Sequence, residues 1–297
     1  MRDPAAEAFY RETMIRIRPL LVLAAAALLA APPAAAQEPR GIIFILERTL
    51  EAEGRLLAVA LLGADGYEAP PSELHGDSTA TAFEERWLRA GRSYEVLRHG
   101  ERMGTATVAA PEREEACSEP IAGATLALSA GRAPWRGLAG EGLPAQHDAP
   151  WVRPSTGAER RVLDSLAAAL FQAHGIDTAS RAAADTTVAT LLFGEAARPV
   201  LVGSYRLRST DPVTRQASAF IIAEEGRNGY RPAFVDFHEG LEPDHRMRTL
   251  VDAADLDADG LPDLVLENRY WKSWDYSILS RTANGWMEMY RDGGGGC

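Results

Sequence analysis

The chain predicts a mainly β protein with one helix, an α+β arrangement built on antiparallel sheets, and three observations carry that expectation. Short apolar runs of strand length recur along most of the sequence. Turn signals stand between neighbouring runs, notably Arg227-Asn228-Gly229 and Ala283-Asn284-Gly285, which favour hairpins. Residues 156–175 alone combine helical apolar spacing with start and stop signals.

Taken in order, residues 42–47 and 56–62 are apolar runs parted by a polar turn around Glu53-Gly54, which predicts a hairpin. Residues 93–97 and 105–108 flank His99-Gly100-Glu101-Arg102 and predict a second hairpin, and residues 120–128 offer a further strand. Residues 130–155 carry Gly131, Pro134, Gly137, Gly140, Gly142, Pro144, Pro150 and Pro154. That density reads as a loop crossing between two halves, 37–150 and 151–297, with the boundary near Pro150.

The helix follows. Thr156-Gly157-Ala158-Glu159 has capping-box spacing, in which hydroxyl and carboxylate satisfy the free amides of a first turn. Val162, Leu163, Leu166, Leu170 and Phe171 form one apolar face, and His174 with Gly175 suits a helix end and its left-handed cap. A role for His174 as ligand or base is the lesser alternative, because the helix terminus already accounts for it. Further strands are expected at 187–193, 200–207, 217–222, 233–237, 264–268, 276–280 and 286–290. Pro199-Val200-Leu201-Val202 can be laid on Pro262-Asp263-Leu264-Val265 at an offset of 63 residues, a faint repeat that two related β-units would leave, and that chance produces as readily.

Before this fold comes an address. Arg16 and Arg18 precede an apolar stretch over 20–31, then Pro32, Pro33 and Ala34-Ala35-Ala36, the pattern of a secretory signal peptide over 14–36. Met14 is the expected start, and residues 1–13 read as an extension outside it. An apolar run of about 12 residues falls short of the about 20 that span a bilayer. The mature chain is therefore expected in the periplasm or secreted, with no membrane span.

A formal net charge of −11 opposes phosphate backbones, so nucleic acid is excluded as a partner. Lys272 is the sole lysine, which removes the lysine of phosphate-binding loops. The two cysteines of an exported chain invite a disulfide. Cys117 lies among carboxylates at Glu112, Glu114, Glu115 and Glu119 that suppress its thiolate. Cys297 hangs on Gly293 to Gly296, read as a flexible tether without packing of its own. A Cys117–Cys297 bridge is the preferred reading, with a free or intermolecular Cys297 as the alternative.

The chemistry concentrates in Asp255-Leu256-Asp257-Ala258-Asp259-Gly260-Leu261-Pro262-Asp263. Carboxylates at positions 1, 3, 5 and 9, with glycine at 6 for the turn, are how a loop wraps a hard cation. Two unpaired carboxylates about 4 Å apart repel by about 4 kcal/mol at an effective dielectric of about 20, so the cluster is costly unless a cation fills it. Ca²⁺ tolerates irregular geometry and takes carboxylate and carbonyl oxygens. Asp255, Asp257, Asp259 and Asp263 are the expected ligands, with the Leu261 carbonyl. An EF-hand closes with Glu at position 12, whereas this loop has Leu266 there and runs into a strand.

The loop instead resembles the calcium loops of FG-GAP and VCBS-type repeats, found in integrin α-subunit propellers and in secreted bacterial proteins. There D-x-D-x-D-G-x-x-D leads directly into a buried strand. The resemblance covers residues 249–290 and implies Ca²⁺ on the four aspartates and a blade-like sheet in the C-terminal half. This chain departs from the family in having one complete motif: the earlier copy puts Val200 where Asp263 falls. A partial or solitary blade is therefore expected.

Tyr270, Trp271, Trp274 and Tyr276 lie just beyond that strand. Core is the better reading for them, and rings left exposed would stack on a sugar or grip a partner protein. His238-Glu239-Gly240-Leu241-Glu242-Pro243-Asp244-His245 gathers ligand types but lacks the H-E-x-x-H spacing, and Pro243 interrupts the helix such a zinc site needs, so it reads as a surface loop. With no G-x-S-x-G elbow, no enzyme is assigned. The sequence thus points to an exported calcium-binding β module with a binding or structural role, whose ligand is an unknown protein or carbohydrate. The alternatives are a secreted hydrolase with its site at residues 238–245, or a piece of an envelope assembly.

Overall fold

The computed structural model describes residues 38–71, 78–112, 120–129, 135–144, 151–176, 184–192, 199–207, 216–241 and 245–296. The segment Pro39–Cys297 forms one compact unit. Its first part is β1 (Gly41–Arg48), β2 (Glu53–Leu62), β3 (Tyr67–Glu68), α1 (Ser78–Trp87), β4 (Ser93–Arg98), β5 (Glu101–Glu112), β6 (Ile121–Leu128) and β7 (Trp135–Glu141). Six of these strands close on themselves in the order β1-β7-β4-β5-β6-β2, since β1 also pairs with β2, and β3 is appended to β2. Every pairing is antiparallel, and closure removes the exposed edges of an open sheet.

The apolar run of β1 is continuous because both of its faces are covered. Ile42, Phe44 and Leu46 point into the barrel core with Tyr94, whose ring lies 4.8 Å from that of Phe44. Ile43 and Ile45 point outward into a second core. The helix α1 adds Phe83 and Trp87 to the barrel core, and the Tyr94 hydroxyl donates to the Trp87 carbonyl. Strand β7 corrects the expectation of a loop over 130–155. Its glycines serve close approach rather than turning: a Cβ on Gly137 would stand 2.6 Å from the Leu97 carbonyl oxygen, and one on Gly140 2.5 Å from that of Ile42.

The second part comprises β8 (Val152–Pro154), α2 (Gly157–Ala173), β9 (Ala184–Leu191), β10 (Val200–Leu207), β11 (Gln216–Gly226) and β12 (Gly229–Gly240), followed by β13 (Met247–Ala254), β14 (Asp263–Arg269), β15 (Ser273–Thr282) and β16 (Gly285–Gly296). They build an antiparallel sheet ordered β12-β11-β10-β9-β8 and a four-strand meander β13-β14-β15-β16. The capping box of α2 forms as expected: the Thr156 hydroxyl accepts the Glu159 amide and the Glu159 carboxylate accepts the Thr156 amide. His174 caps the helix end and stacks on Phe237 with ring centroids 3.8 Å apart, so it is structural.

The meander is the middle layer. Leu264, Leu266, Leu279 and Trp286 face the five-stranded sheet through Val202, Phe220 and Ile222. Val265, Tyr276, Ile278 and Tyr290 face the barrel through Ile43, Ile45 and Val59. Residues alternate between the two cores with the period of a strand, which is why both faces of β14 are apolar. On the far side of the five-stranded sheet, α2 packs Leu163, Ala167 and Phe171 against Leu201, Tyr205 and Ile221.

Two further expectations change. The glycines at 293–296 are not a tether: they end β16 and pair with the start of β15, Gly296 opposite Ser273 and Gly295 opposite Trp274. A Cβ on Gly294 would meet the Trp274 carbonyl oxygen at 2.1 Å, so the absence of side chains is what lets this edge close. Strand β13 was not expected, since its apolar pattern is broken by Arg248 and Asp252. Both charges are buried and matched, Arg248 to Asp236 at 2.7 Å and Glu288 at 2.5 Å, Asp252 to backbone amides. Cys117 and Cys297 lie outside the described residues, as do residues 14–36, where a signal peptide is expected.

Candidate metal centre

The aspartate loop joins β13 to β14 and is folded around its own carboxylates. Asp255 accepts the Ala258 amide at 2.7 Å and the Gly260 amide at 3.1 Å. Asp257 accepts Asp259 N–H at 3.1 Å, Asp259 accepts Leu261 N–H at 2.7 Å, and Asp263 accepts Leu256 N–H at 2.9 Å. Ala258 and Gly260 take the left-handed conformation, φ 72° and 82°, that so tight a wrap requires. Leu256 is fully buried in the core shared with the barrel and pins the loop from inside.

Three of the expected ligands converge. One carboxylate oxygen each of Asp255, Asp257 and Asp263 lies within 4.8 Å of the others. Asp255 and Asp263 are buried and Asp257 is exposed. Asp259 is not part of this group and remains exposed at the turn. The Leu261 side chain packs on the core around Leu264.

Burial dominates the electrostatics of the loop acids. Burial pushes the Asp263 carboxyl up to about 7, and the neighbouring charges that act on it, Asp257 and Asp259, are both negative. Asp255 is raised by burial too, against the two amides it accepts. The phenol of Tyr67, on β3, is raised by burial and then by Asp263, Asp257 and Asp255. Its hydroxyl is buried without a hydrogen-bond partner among the described residues. Tyr67 is therefore a site residue that the sequence did not offer. It sits nearly 190 positions before the loop, and only closure of β3 against β2, with its ring 6.0 Å from that of Tyr290, brings it there. Three convergent carboxylates, two of them desolvated, fit a hard divalent cation with oxygen ligands, and Tyr67 stands close enough for their charges to act on its phenol.

The segment 238–245 is not a surface loop at its ends. His238 and Glu239 belong to β12, His245 is buried, and the two imidazoles face each other with centroids 6.1 Å apart. Burial and then the Arg206 cation bring His245 down to about 4, so it is neutral at pH 7. Residues 242–244 lie outside the described residues. The aromatic group divides: Tyr276 is core, Tyr270 and Trp274 are half-buried, and Trp271 is 51% exposed. Among the described residues no helix is long and apolar enough to cross a membrane. Compared with protein-family models, with curated proteins and with solved structures, the chain finds no match.

Proposed function

We propose that this chain is an exported calcium-binding β module in which Ca²⁺ on Asp255, Asp257 and Asp263 fixes the entry to β14, and that it serves a binding or structural role outside the cytoplasm. The observation that supports it most is the convergence of those three carboxylates, two of them buried, at the start of a strand covered on both faces. Export follows from the basic and apolar pattern over 14–36. The FG-GAP and VCBS resemblance is part of this reading: its loop precedes the second strand of a four-strand antiparallel meander, as in a blade. Asp259 then supports the turn through the Leu261 amide. The ion's work is structural in this proposal, because a cation there offsets mutual repulsion of acids that the core has already desolvated.

The test is a thermal melt in EDTA and then in millimolar Ca²⁺ or Mg²⁺. At one hundred times its dissociation constant a ligand stabilises by about 2.7 kcal/mol. A Ca²⁺-selective rise that Asp257→Ala abolishes is expected. Equal melting in EDTA and in Ca²⁺ would overturn the reading.

A further inference from the structure

At the opposite end of β14 from the aspartate loop, a groove of about 450 Å³ runs between the barrel and the β14–β15 turn. We propose that this groove binds an uncharged stretch of carbohydrate, with Trp271 as the stacking platform. The groove shares no residue with the cation loop.

The turn is built to hold its rings still. Tyr270 N–H donates to the Ser273 carbonyl at 2.9 Å, closing the connection between the two strands. The Tyr270 hydroxyl donates to Asp275 at 2.8 Å and receives the Arg291 guanidinium, so that ring is fixed from its far end. Asn268, fully buried, donates to Asp275 and to Ser277 and holds the carboxylate in place. Trp271 rides on this frame and lines the groove with half its surface in water. Aromatic faces with a polar edge suit a ligand that is apolar on one side and hydroxylated on the other.

The charges in the groove choose among ligands. Arg136 spans Glu47 at 3.2 Å and Glu267 at 2.8 Å, Arg269 joins Glu267 at 3.1 Å, and Arg55 meets Glu112 at 2.8 Å. These pairs compensate one another within and beside the lining and leave Lys272, which also lines the groove, as the cation at its turn; one such cation in a chain of net charge −11 does not attract an anionic polymer. Paired guanidinium and carboxylate groups retain donors and acceptors at their margins, which hydroxyls, being both, can bridge. A protein partner would need a broad surface of about 1,000 Å² or more, whereas this concavity is of small-ligand size.

The purified chain would be run by affinity electrophoresis through gels holding neutral polysaccharides, β-glucans, xylan, mannan and glycol chitin, each with Ca²⁺ and with EDTA. Binding of matching oligosaccharides would be read by tryptophan fluorescence. One neutral glycan class is expected to retard the protein. Trp271→Ala should weaken binding about tenfold, the loss of one stacked face, while Trp271→Phe keeps most of it and both variants melt as the parent does. Retardation in Ca²⁺ but not in EDTA, with Trp271→Ala still weak in Ca²⁺, keeps the proposal and shows that the loop stiffens the frame. No retardation by any neutral glycan, which leaves the groove to a protein partner, would overturn it. So would binding only to acidic glycans, or full binding by Trp271→Ala. Calcium-dependent melting is read separately, so either proposal fails alone.

Discussion

The backbone amide of His99 donates to both carboxylate oxygens of Asp252, at 2.8 and 3.0 Å. His99 is the left-handed residue, φ 58°, at the tip of the β4–β5 hairpin, and Asp252 lies fully desolvated in β13. One carboxylate thus fastens the barrel to the middle sheet, and its second bond, from Ala253 N–H at 2.8 Å, keeps it aimed.

That carboxylate sets a pH dependence. Burial lifts Asp252 to about 7, against the two amides and Arg98, which lower it. The folded state therefore holds the proton more tightly than the unfolded one, and stability from this group is full below about 3.9 and falls as pH rises to about 7. His245 acts the other way: lowered to about 4 from 6.5, it favours folding above 6.5 and costs stability as pH falls from there to about 4. The two slopes, each at most about 1.4 kcal/mol per pH unit, oppose one another. Asp263, also lifted to about 7, adds the same downward slope to every variant, so the effects are read relative to the parent: Asp252→Asn should gain stability on the parent as pH rises between about 4 and 7, and His245→Phe should lose it between about 4 and 6.5. Urea titrations at half-unit steps read both; parallel profiles for parent and variants would contradict the assignment.

Arg248 ties β13 to two strands it does not pair with, through Asp236 of β12 and Glu288 of β16. Removing one partner of a buried ion pair strands the others, so Arg248→Ala is expected to cost about 3 kcal/mol, at the lower end because Asp236 keeps Arg246 at 2.6 Å. A double-mutant cycle with Glu288→Gln should give a coupling of more than about 0.5 kcal/mol. Additive losses would place no weight on the pair.

The start of α2 predicts a different acid limb. Arg153 holds Glu159 down to about 2, with the Thr156 bonds adding to it. This stability is present above the ordinary glutamate range, about 4.3, and is lost as pH falls through about 2. Glu159→Gln should flatten the profile below pH 4, and Thr156→Ala should cost about 1 kcal/mol at neutral pH. Equilibrium denaturation of the two variants checks both figures.

Within the cation loop, Asp257 and Asp259 should separate. Asp257→Ala removes a converging oxygen and is expected to abolish the Ca²⁺-dependent rise in Tm, whereas Asp259→Asn keeps an acceptor for the Leu261 amide and should retain most of it. Calorimetric titration with Ca²⁺ distinguishes them, and equal loss would return Asp259 to the ligand set.

What the sequence made legible was local. The β1–β2 hairpin, the capping box at Thr156 and the Asn-Gly turns depend on residues within a few positions of each other, and each stands where it was expected. Gly137, Gly140 and Gly294 misled because their role is set by a carbonyl on another strand, which no local pattern records. β13 hid its strand character behind Arg248 and Asp252, whose partners come from β12, β16 and the β4–β5 turn. The aspartate loop was legible as chemistry, but which oxygens converge, and that Tyr67 borders them, depended on the barrel. The short helix α1 escaped because only Ala80, Phe83 and Trp87 carry its apolar face.

The position of the meander between barrel and five-stranded sheet has a consequence for synthesis. Ile43 and Ile45, near the start of the folded unit, are covered by Val265, Tyr276, Ile278 and Tyr290, near its end. A chain emerging in order would carry a bare apolar barrel wall for almost the whole of translation or translocation, and pairings so distant in sequence form slowly. Such a nascent chain is a natural client for a holding chaperone, and a stop codon that removes only the last two strands would leave both flanking layers sticky rather than merely shortened.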